Sequence, residues 1–150
     1  MDKRERDKMK ILYHGSSRKI VGELIPHEAE DLGKRVENMH KAVYATDNKE
    51  IAIAMAILSS KGVRYSSLTN NKPYGRIYKG SPEQDEVYLY YLDSKDFQQQ
   101  RGNSLGQWIS ESPVKPVKVE RIKIKDYLNL VRDATEAEKQ NWVRKYGELK

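Results

Sequence analysis

The chain has 150 residues, which suits one compact domain over 1–150 and is too short for two ordinary ones. Hydrophobic residues make up 37% of the chain and charged residues 33%. The 28 Lys and Arg residues outnumber the 22 Asp and Glu residues and give a net charge of +6. This positive charge favours phosphate-bearing partners such as nucleotides or nucleic acid. The absence of cysteine excludes disulfides and thiolate metal sites.

The first ten residues, MDKRERDKMK, lack the apolar run of a signal peptide, and we expect residues 1–9 to form a basic arm. The longest apolar stretch, IAIAMAIL at 51–58, is far shorter than a bilayer span needs. We therefore expect a cytoplasmic protein without a membrane partner.

The first 41 residues predict one strand, one short helix and a long loop. The strand is expected at 10–14, KILYH, and should stop at Gly15. Either of the two serines that follow can cap a short helix over 18–22. Residues 25–41 have no clean hydrophobic period and contain a Pro and a Gly, so they predict a long loop, which in a compact domain is often functional.

A strand and a helix follow this loop. AVYAT at 42–46 predicts the strand, and Asp47 with Glu50 matches a capping box at the start of a helix. The helix should run from 48 to about 60. Its strongly apolar composition predicts that most of its surface is buried.

The second half of the chain predicts mainly strands. Residues 61–85 are typical of a loop with one strand at 75–79. Further strands are predicted at 86–93, 107–110 and 117–124. Thr135 and Glu138 form a second capping box, which opens a helix to about Tyr146. This order of elements predicts an α+β domain around a mainly antiparallel sheet.

The segment YHGSS contains a first group of candidate site residues, and the competing interpretation is a tight strand-to-helix turn with an exposed His. Gly15 would let a ligand approach the backbone, and Ser16 adds a hydroxyl and a free amide. His14 can donate or accept a hydrogen bond near neutral pH. His27 and His40 lie in the polar loop and are expected to be solvated. No spacing of His, Asp and Glu predicts a metal site.

The segment AVYATDNKEIAIAMA supplies a second group. If Tyr44 ends a strand and the helix begins near Asp47, then Tyr44 and one helix face border a common cleft. Met55 lies about two turns into that helix. The competing interpretation places Tyr44, Met55, Ile51 and Leu58 in the core.

Together, YHGS on a first strand and VYATDNKEIAIAMA after a loop resemble the ADP-ribosyltransferases of the diphtheria-toxin and poly(ADP-ribose) polymerase type. In that family a His, a Tyr and a Glu lie on three separate strands. The resemblance covers the first 60 residues through these motifs and the rest by the order of elements. It implies an ADP-ribosyltransferase-like fold, in which a mainly antiparallel split sheet surrounds an NAD cleft.

The resemblance also implies roles for individual residues. His14 would hydrogen-bond a ribose of NAD, and the backbone of Gly15 would hold the nicotinamide amide with Ser16 nearby. Tyr44 would stack on the nicotinamide ring. Many members carry a second Tyr eleven residues later, where this chain has Met55. A Met can still pack on an aromatic face through its thioether, so the sandwich is weakened rather than lost.

The family's catalytic Glu stands near the start of a late strand and is followed by an aromatic residue. The matching stretch here is GQWIS, which places Gln107 at the Glu position and Trp108 at the aromatic one. A carboxylate there accepts a hydrogen bond from the ribose 2′-hydroxyl and stabilises the oxocarbenium-like ribose as nicotinamide leaves. Glutamine keeps the shape and some hydrogen bonding without the charge, so we expect the reaction to be slower by roughly 10² to 10³ or more, with NAD binding retained.

Three other acids are candidates to replace the missing charge: Glu83, Glu86 and Glu111. Glu111 shares the strand face of Gln107 but should lie roughly 13 Å along it. The positions of Glu83 and Glu86 relative to Gln107 do not follow from the sequence.

Two loops are expected to complete the site. The resemblance implies that residues 25–41 form a flap over the adenine and phosphates of NAD, with basic side chains at Lys34, Arg35 and Lys41. Residues 96–106 directly precede Gln107 and are expected to face the acceptor. The polar side chains available there are Gln99, Gln100, Arg101 and Asn103.

The sequence therefore predicts an NAD-binding mono-ADP-ribosyltransferase-like protein. It would cleave the nicotinamide–ribose bond and transfer ADP-ribose to a protein or nucleic acid, with activity impaired by Gln107, whether that residue is natural or engineered. One alternative is a catalytically inactive protein that binds NAD or ADP-ribose. Another is a basic nucleic-acid-binding module, with a surface made of Tyr65, Tyr74, Tyr78, Lys118, Arg121, Lys123 and Lys125.

Overall fold

The computed structural model describes residues 10–27, 41–100 and 106–150. The predicted arm, most of the 25–41 loop and part of the 96–106 loop lie outside the described residues. The candidate residues on these segments that fall outside are Lys34, Arg35, His40, Arg101 and Asn103.

Within these ranges the chain forms nine strands and two helices. In chain order they are β1 (Ile11–Ser16), β2 (Val43–Thr46), α1 (Lys49–Leu58), β3 (Val63–Leu68), β4 (Gly75–Gly80), β5 (Glu86–Asp93), β6 (Gln98–Gln99), β7 (Gln107–Ser110), β8 (Lys118–Lys123), β9 (Val131–Asp133) and α2 (Glu136–Tyr146). This content confirms the predicted α+β class. No helix of the described part is both long and apolar enough to cross a bilayer.

The strands form two sheets. The larger has six strands in the order β6-β7-β2-β1-β5-β8, and every neighbouring pair in it is antiparallel. The smaller sheet has the order β3-β4-β9, in which β3 and β4 are antiparallel and β4 and β9 are parallel. The mainly antiparallel pairing confirms the prediction of a mainly antiparallel sheet.

Helix α1 packs against strands of both sheets, and this position explains its composition. Seven of its ten residues are buried, and this burial on most sides requires a sequence rich in Ile and Ala with few polar residues. A second hydrophobic cluster lies on the other face of the six-stranded sheet. Strand β5 shows the division, because Val87 and Leu89 face α1 while Tyr90 and Leu92 face the second cluster.

Three local predictions differ from the structure between β1 and α1. β1 continues past Gly15 to Ser16 because its last residues still pair with β5. The helix predicted at 18–22 is wrong: the Ser16 hydroxyl hydrogen-bonds the backbone of Arg18 and forms a turn. The helix cap is Asn48 rather than Asp47, since the Asn48 side chain accepts from the first backbone amides of α1.

The sequence also missed two strands of the smaller sheet. β3 lies in the stretch that predicted a loop, and its polar residues become a strand by pairing with β4. β9 has three residues and is held by its parallel pairing with β4. Neither has a local signal, because partner strands elsewhere in the chain stabilise them.

Helix α2 is attached to the smaller sheet by Glu138 and Trp142. The predicted capping box of Thr135 and Glu138 is confirmed. The Glu138 carboxylate also accepts from Arg132, at 2.7 and 3.0 Å, and from Arg76 Nε at 3.1 Å. On the next turn the Trp142 ring packs on Tyr78, with ring centroids 4.4 Å apart.

We expect Glu138→Gln to loosen α2 in a pH-dependent way. The hydrogen bonds from Arg132 and the Thr135 amide lower the Glu138 pKa to about 2. Because folding lowers the pKa of this group, the ionised carboxylate stabilises the folded protein at pH values above its ordinary pKa of 4.5. This stabilisation is lost as the pH falls towards 2. The variant should therefore have a lower thermal unfolding midpoint at pH 7, and the difference should vanish near pH 2.

The matched control is Glu136→Gln, because the Glu136 side chain lies on the same helix and is 85% exposed. It should change the unfolding midpoint little at either pH. Equal midpoints for the two variants at pH 7 would contradict a role of Glu138 in holding α2, and Trp142 fluorescence reports the helix directly.

Candidate functional site

The six-stranded sheet opens between its two central strands. In these two fully described strands, β1 and β2 pair at Tyr13 and Thr46 and nowhere else. The same antiparallel register would bring Gly15 opposite Tyr44, but the strands have separated by then. The separation leaves a cleft between the two strands.

His14 bridges the strands where they separate. Its Nδ1 atom lies 2.6 Å from the carbonyl oxygen of Tyr44. Because a carbonyl only accepts, Nδ1 carries the proton, and Nε2 of the neutral ring is left as an acceptor. Burial lowers the His14 pKa, partly opposed by the bond to Tyr44, and nearby His27 lowers it further. The ring is therefore neutral at pH 7 and can accept a hydrogen bond from a hydroxyl.

Most of the candidate residues predicted from the sequence meet in this cleft. It is nearly closed, with room for about one water molecule between its walls. Five of the six candidates line it: His14, Gly15, Tyr44, Met55 and Gln107. Ser16 is not part of this described lining, and its hydroxyl is used in the turn to Arg18. Ile51, expected in the core, also lines the cleft while being only 3% exposed.

Gly15 has a packing role that its sequence context did not reveal. A Cβ atom at this position would lie 2.0 Å from the backbone oxygen of Ala52 and 2.9 Å from the Ala56 Cβ. Neither contact is possible, so only glycine lets α1 approach β1 this closely. Gly15 thereby sets the distance between the strand and the helix that form two walls of the cleft.

Gln107 begins β7 opposite Thr46 and is buried, with 7% of its surface exposed. Trp108 points to the other face of the sheet and packs in the second hydrophobic cluster. Lys10 lies over the Trp108 ring, 5.0 Å from its centroid, and forms an ion pair with Asp47 at 3.3 Å. These contacts join the residues just before β1 and just before α1 to Trp108, the second residue of β7.

None of the described residues lining the cleft is an Asp or a Glu. Glu86 lies at the far side of β5, where Arg121 is 3.8 Å away, and Glu83 and Glu111 are exposed. The three acids considered as substitutes are therefore not cleft residues. In the described part of the chain, His, Asp and Glu also form no group that could hold a metal ion.

His27 is a site neighbour that the sequence did not indicate. It is exposed, as expected, but its ring packs edge-to-face on Tyr44 with centroids 6.5 Å apart. Its backbone pairs with Ala42, just before β2. No local signal could have identified this contact, because it depends on the pairing of two distant segments.

The surface predicted for nucleic-acid binding is divided between the two sheets. Tyr65 and Tyr78 pack against Trp142, and Tyr74 is buried with its hydroxyl donating to Glu50. The basic residues of β8 lie at the edge of the six-stranded sheet. The three tyrosines thus lie at the smaller sheet and the cations of β8 on the larger one, with Tyr65 and Tyr78 half-buried and Tyr74 buried.

Protein-family models, curated proteins and solved structures contain no match to this chain. What the protein does must therefore be inferred from the cleft, where His14, Tyr44, Met55 and Gln107 meet.

We expect Gly15→Ala to destabilise the protein by about 3 kcal/mol, because the Ala52 carbonyl is backbone and cannot move without displacing α1. Gly22→Ala is the matched control. Gly22 has a φ of 82°, and a Cβ added there would meet no described atom within 4 Å, so that change should cost only the backbone strain. We expect this strain to be about 1 kcal/mol. Urea unfolding of both variants measures the difference, and equal losses would argue against the packing role.

Proposed function

We propose that this chain is an NAD-binding, ADP-ribosyltransferase-like protein whose turnover is impaired by Gln107. The observation that carries the proposal is the meeting of His14, Tyr44 and Gln107, from three adjacent strands, at the opening of the six-stranded sheet. These are the three positions at which the sequence resembles the His, Tyr and Glu of that family. Residues so far apart in the chain need not have met in one cleft.

The polar chemistry of His14 suits a ribose. In the described part of the chain Nε2 of the neutral imidazole has no hydrogen-bond donor, so it can accept a hydrogen bond from a ribose hydroxyl. A protonated imidazole could only donate. Because the bond to the Tyr44 carbonyl fixes the ring, the acceptor is held in place before a ligand arrives.

The apolar side of the cleft suits the nicotinamide ring. Tyr44 and Met55 both line it, on β2 and α1 respectively. Tyr44 is 6% exposed and Met55 is 36% exposed. Because the cleft is narrow, a ring can enter only if a side chain of its wall moves. Met55 is the wall residue best able to move, because its thioether side chain is flexible.

Gln107 accounts for the impaired turnover. Departure of nicotinamide leaves positive charge on the ribose, and the rate depends on a fixed negative charge beside it. The Gln107 amide is neutral, and no described residue of the lining supplies a carboxylate. The site should thus bind NAD and turn it over slowly.

The acceptor of ADP-ribose would approach along the segment before β7. β6 pairs with β7, and the Gln100 amide donates to the Gln107 carbonyl at 3.0 Å. The exposed side chains of Gln98 and Gln99 thus lie one strand away from Gln107. A protein or nucleic acid held there would be close to the bond that breaks.

The first test is whether the cleft binds NAD. Tyr44→Ala should weaken NAD binding about tenfold or more, because a stacked ring contributes roughly 1–3 kcal/mol. Calorimetric titration measures this, with Tyr146→Ala as the control, since Tyr146 is an exposed tyrosine on α2. Failure of the unaltered protein to bind NAD at millimolar concentration would sink the proposal.

The second test restores the charge. Gln107→Glu should raise the rate of nicotinamide release from NAD by about 10²-fold or more, because it places a carboxylate beside the developing cation. Gln140→Glu is the matched control, since it makes the same chemical change at an exposed position on α2, away from the cleft, and should leave the rate unchanged.

Two other outcomes have definite meanings. If both proteins bind NAD and neither releases nicotinamide, the chain is a binding protein without turnover. Rapid release by the unaltered protein would show that the catalytic charge lies elsewhere and that Gln107 does not occupy its position.

A further inference from the structure

A row of cross-strand neighbours leads from the cleft to β8, at the edge of the six-stranded sheet. Thr46 on β2 lies opposite Tyr13 on β1. Tyr13 lies opposite Tyr91 on β5, and Tyr91 lies opposite Lys118 on β8. Direct partners share one face of a sheet, and here it is the face towards α1, because Tyr13 and Tyr91 both pack on the cluster around that helix. Since Thr46 and Tyr13 line the cleft, the row connects the cleft to β8.

Two lysines from different elements meet at the Tyr91 ring. Lys118 Nζ lies 4.8 Å from the ring centroid, and Nζ of Lys49, the first residue of α1, lies 5.5 Å from it. The Tyr13 ring packs edge-to-face on the same Tyr91 ring, with centroids 5.2 Å apart. The two ammonium groups are therefore separated from the cleft wall by a single pair of aromatic rings.

The charge at this ring is not balanced. Glu120 accepts a hydrogen bond from the Tyr91 hydroxyl at 2.5 Å and lies 3.6 Å from Lys49 Nζ. Lys118 forms no ion pair with any residue that the structure describes. Both lysines are accessible, because the Lys49 side chain is 43% exposed and Lys118 is exposed. Two ammonium groups near one ring repel each other, and an anion that contacts both would relieve the repulsion.

We infer that Lys49 and Lys118 form a subsite for a phosphate group of a ligand that occupies the cleft. Phosphate suits two neighbouring ammonium groups because its several oxygens can accept hydrogen bonds from both. That this ligand is NAD, whose diphosphate joins its two ribose units, rests on the proposed function. The affinity of the two lysines for phosphate does not depend on it.

The family resemblance placed the phosphates of NAD elsewhere, under the 25–41 flap. Lys41 is the described member of the basic set expected there, and it precedes β2, whereas Thr46 ends that strand. The flap and the new subsite thus lie at opposite ends of β2. Substitution of one lysine or the other distinguishes the two places.

The first test measures NAD binding by calorimetric titration. Lys49→Gln and Lys118→Gln should each weaken binding by about two- to fivefold, the effect of one solvent-exposed charge pair, and the loss should shrink as salt is added. Lys123→Gln is the matched control and should leave the affinity unchanged, because Lys123 is an exposed residue of β8 on the opposite face of the sheet.

Lys41→Gln tests the competing place and should also leave the affinity unchanged. A loss in Lys118→Gln no larger than that in Lys123→Gln would overturn the inference, whatever Lys41→Gln shows.

A second ligand separates a phosphate contact from a change in the shape of the cleft. Nicotinamide riboside has the nicotinamide and one ribose of NAD but no phosphate. Lys118→Gln should therefore weaken the binding of NAD and leave that of the riboside unchanged, as measured by NMR titration. Equal weakening for both ligands would show that Lys118 contacts no phosphate.

Inorganic pyrophosphate tests the subsite without NAD. It should shift the backbone amide signals around Lys49 and Lys118, and the shifts should disappear in the double variant Lys49→Gln/Lys118→Gln and persist in Lys123→Gln. If pyrophosphate binds in this way and NAD does not bind, the proposed function fails and the subsite stands. Absence of these shifts, or their persistence in the double variant, would overturn the subsite even if NAD binds.

Discussion

The site depends on the place where two neighbouring strands stop pairing. β1 and β2 are joined at Tyr13 and Thr46, and beyond that pair the sheet is open. An unpaired strand edge would leave backbone groups without partners, and His14 meets part of that need by donating to the Tyr44 carbonyl. One side chain thus stabilises the opening and presents an acceptor within it, so the structural and chemical roles of His14 are inseparable.

Helix α1 determines how wide the opening can be. Its close approach to β1 needs the missing side chain of Gly15, and the same approach brings Ile51 and Met55 to the cleft. A glycine after a histidine at a strand end suggests access for a ligand. Here the first reason for that glycine is the packing of a helix, and access to the cleft follows from where the helix lies.

The chemistry of the described cleft is notable for its lack of negative charge. In the proposed function, a neutral histidine, a tyrosine, a methionine and a glutamine would bind a nucleotide without stabilising the cation that forms when its glycosidic bond breaks. Binding and turnover place different demands on one site. In the proposed function Gln107 would separate them, because an amide would meet the first demand and only a carboxylate would meet the second.

Much of the fold could be predicted where the signal is local. The apolar run of α1, the alternation in β5 and β8, and the capping box at Thr135 each depend on neighbours in the chain. The predictions were wrong or missing where partners are remote. β3 and β9 exist because they pair with β4. The error at Ser16 has a local cause, because its hydroxyl bonds the backbone of Arg18 in a turn instead of capping a helix.

By itself the sequence determined the α+β class and the residue types available for the site, because both follow from local patterns and motifs. The family resemblance led us to expect His14, Tyr44, Met55 and Gln107 in one cleft, and the tertiary structure brings them together. The tertiary structure alone decided that Ser16 does not join them in the described lining and that His27 packs on Tyr44. These are distances between segments far apart in the chain. They are set by strand register and helix packing, which no single stretch of sequence contains.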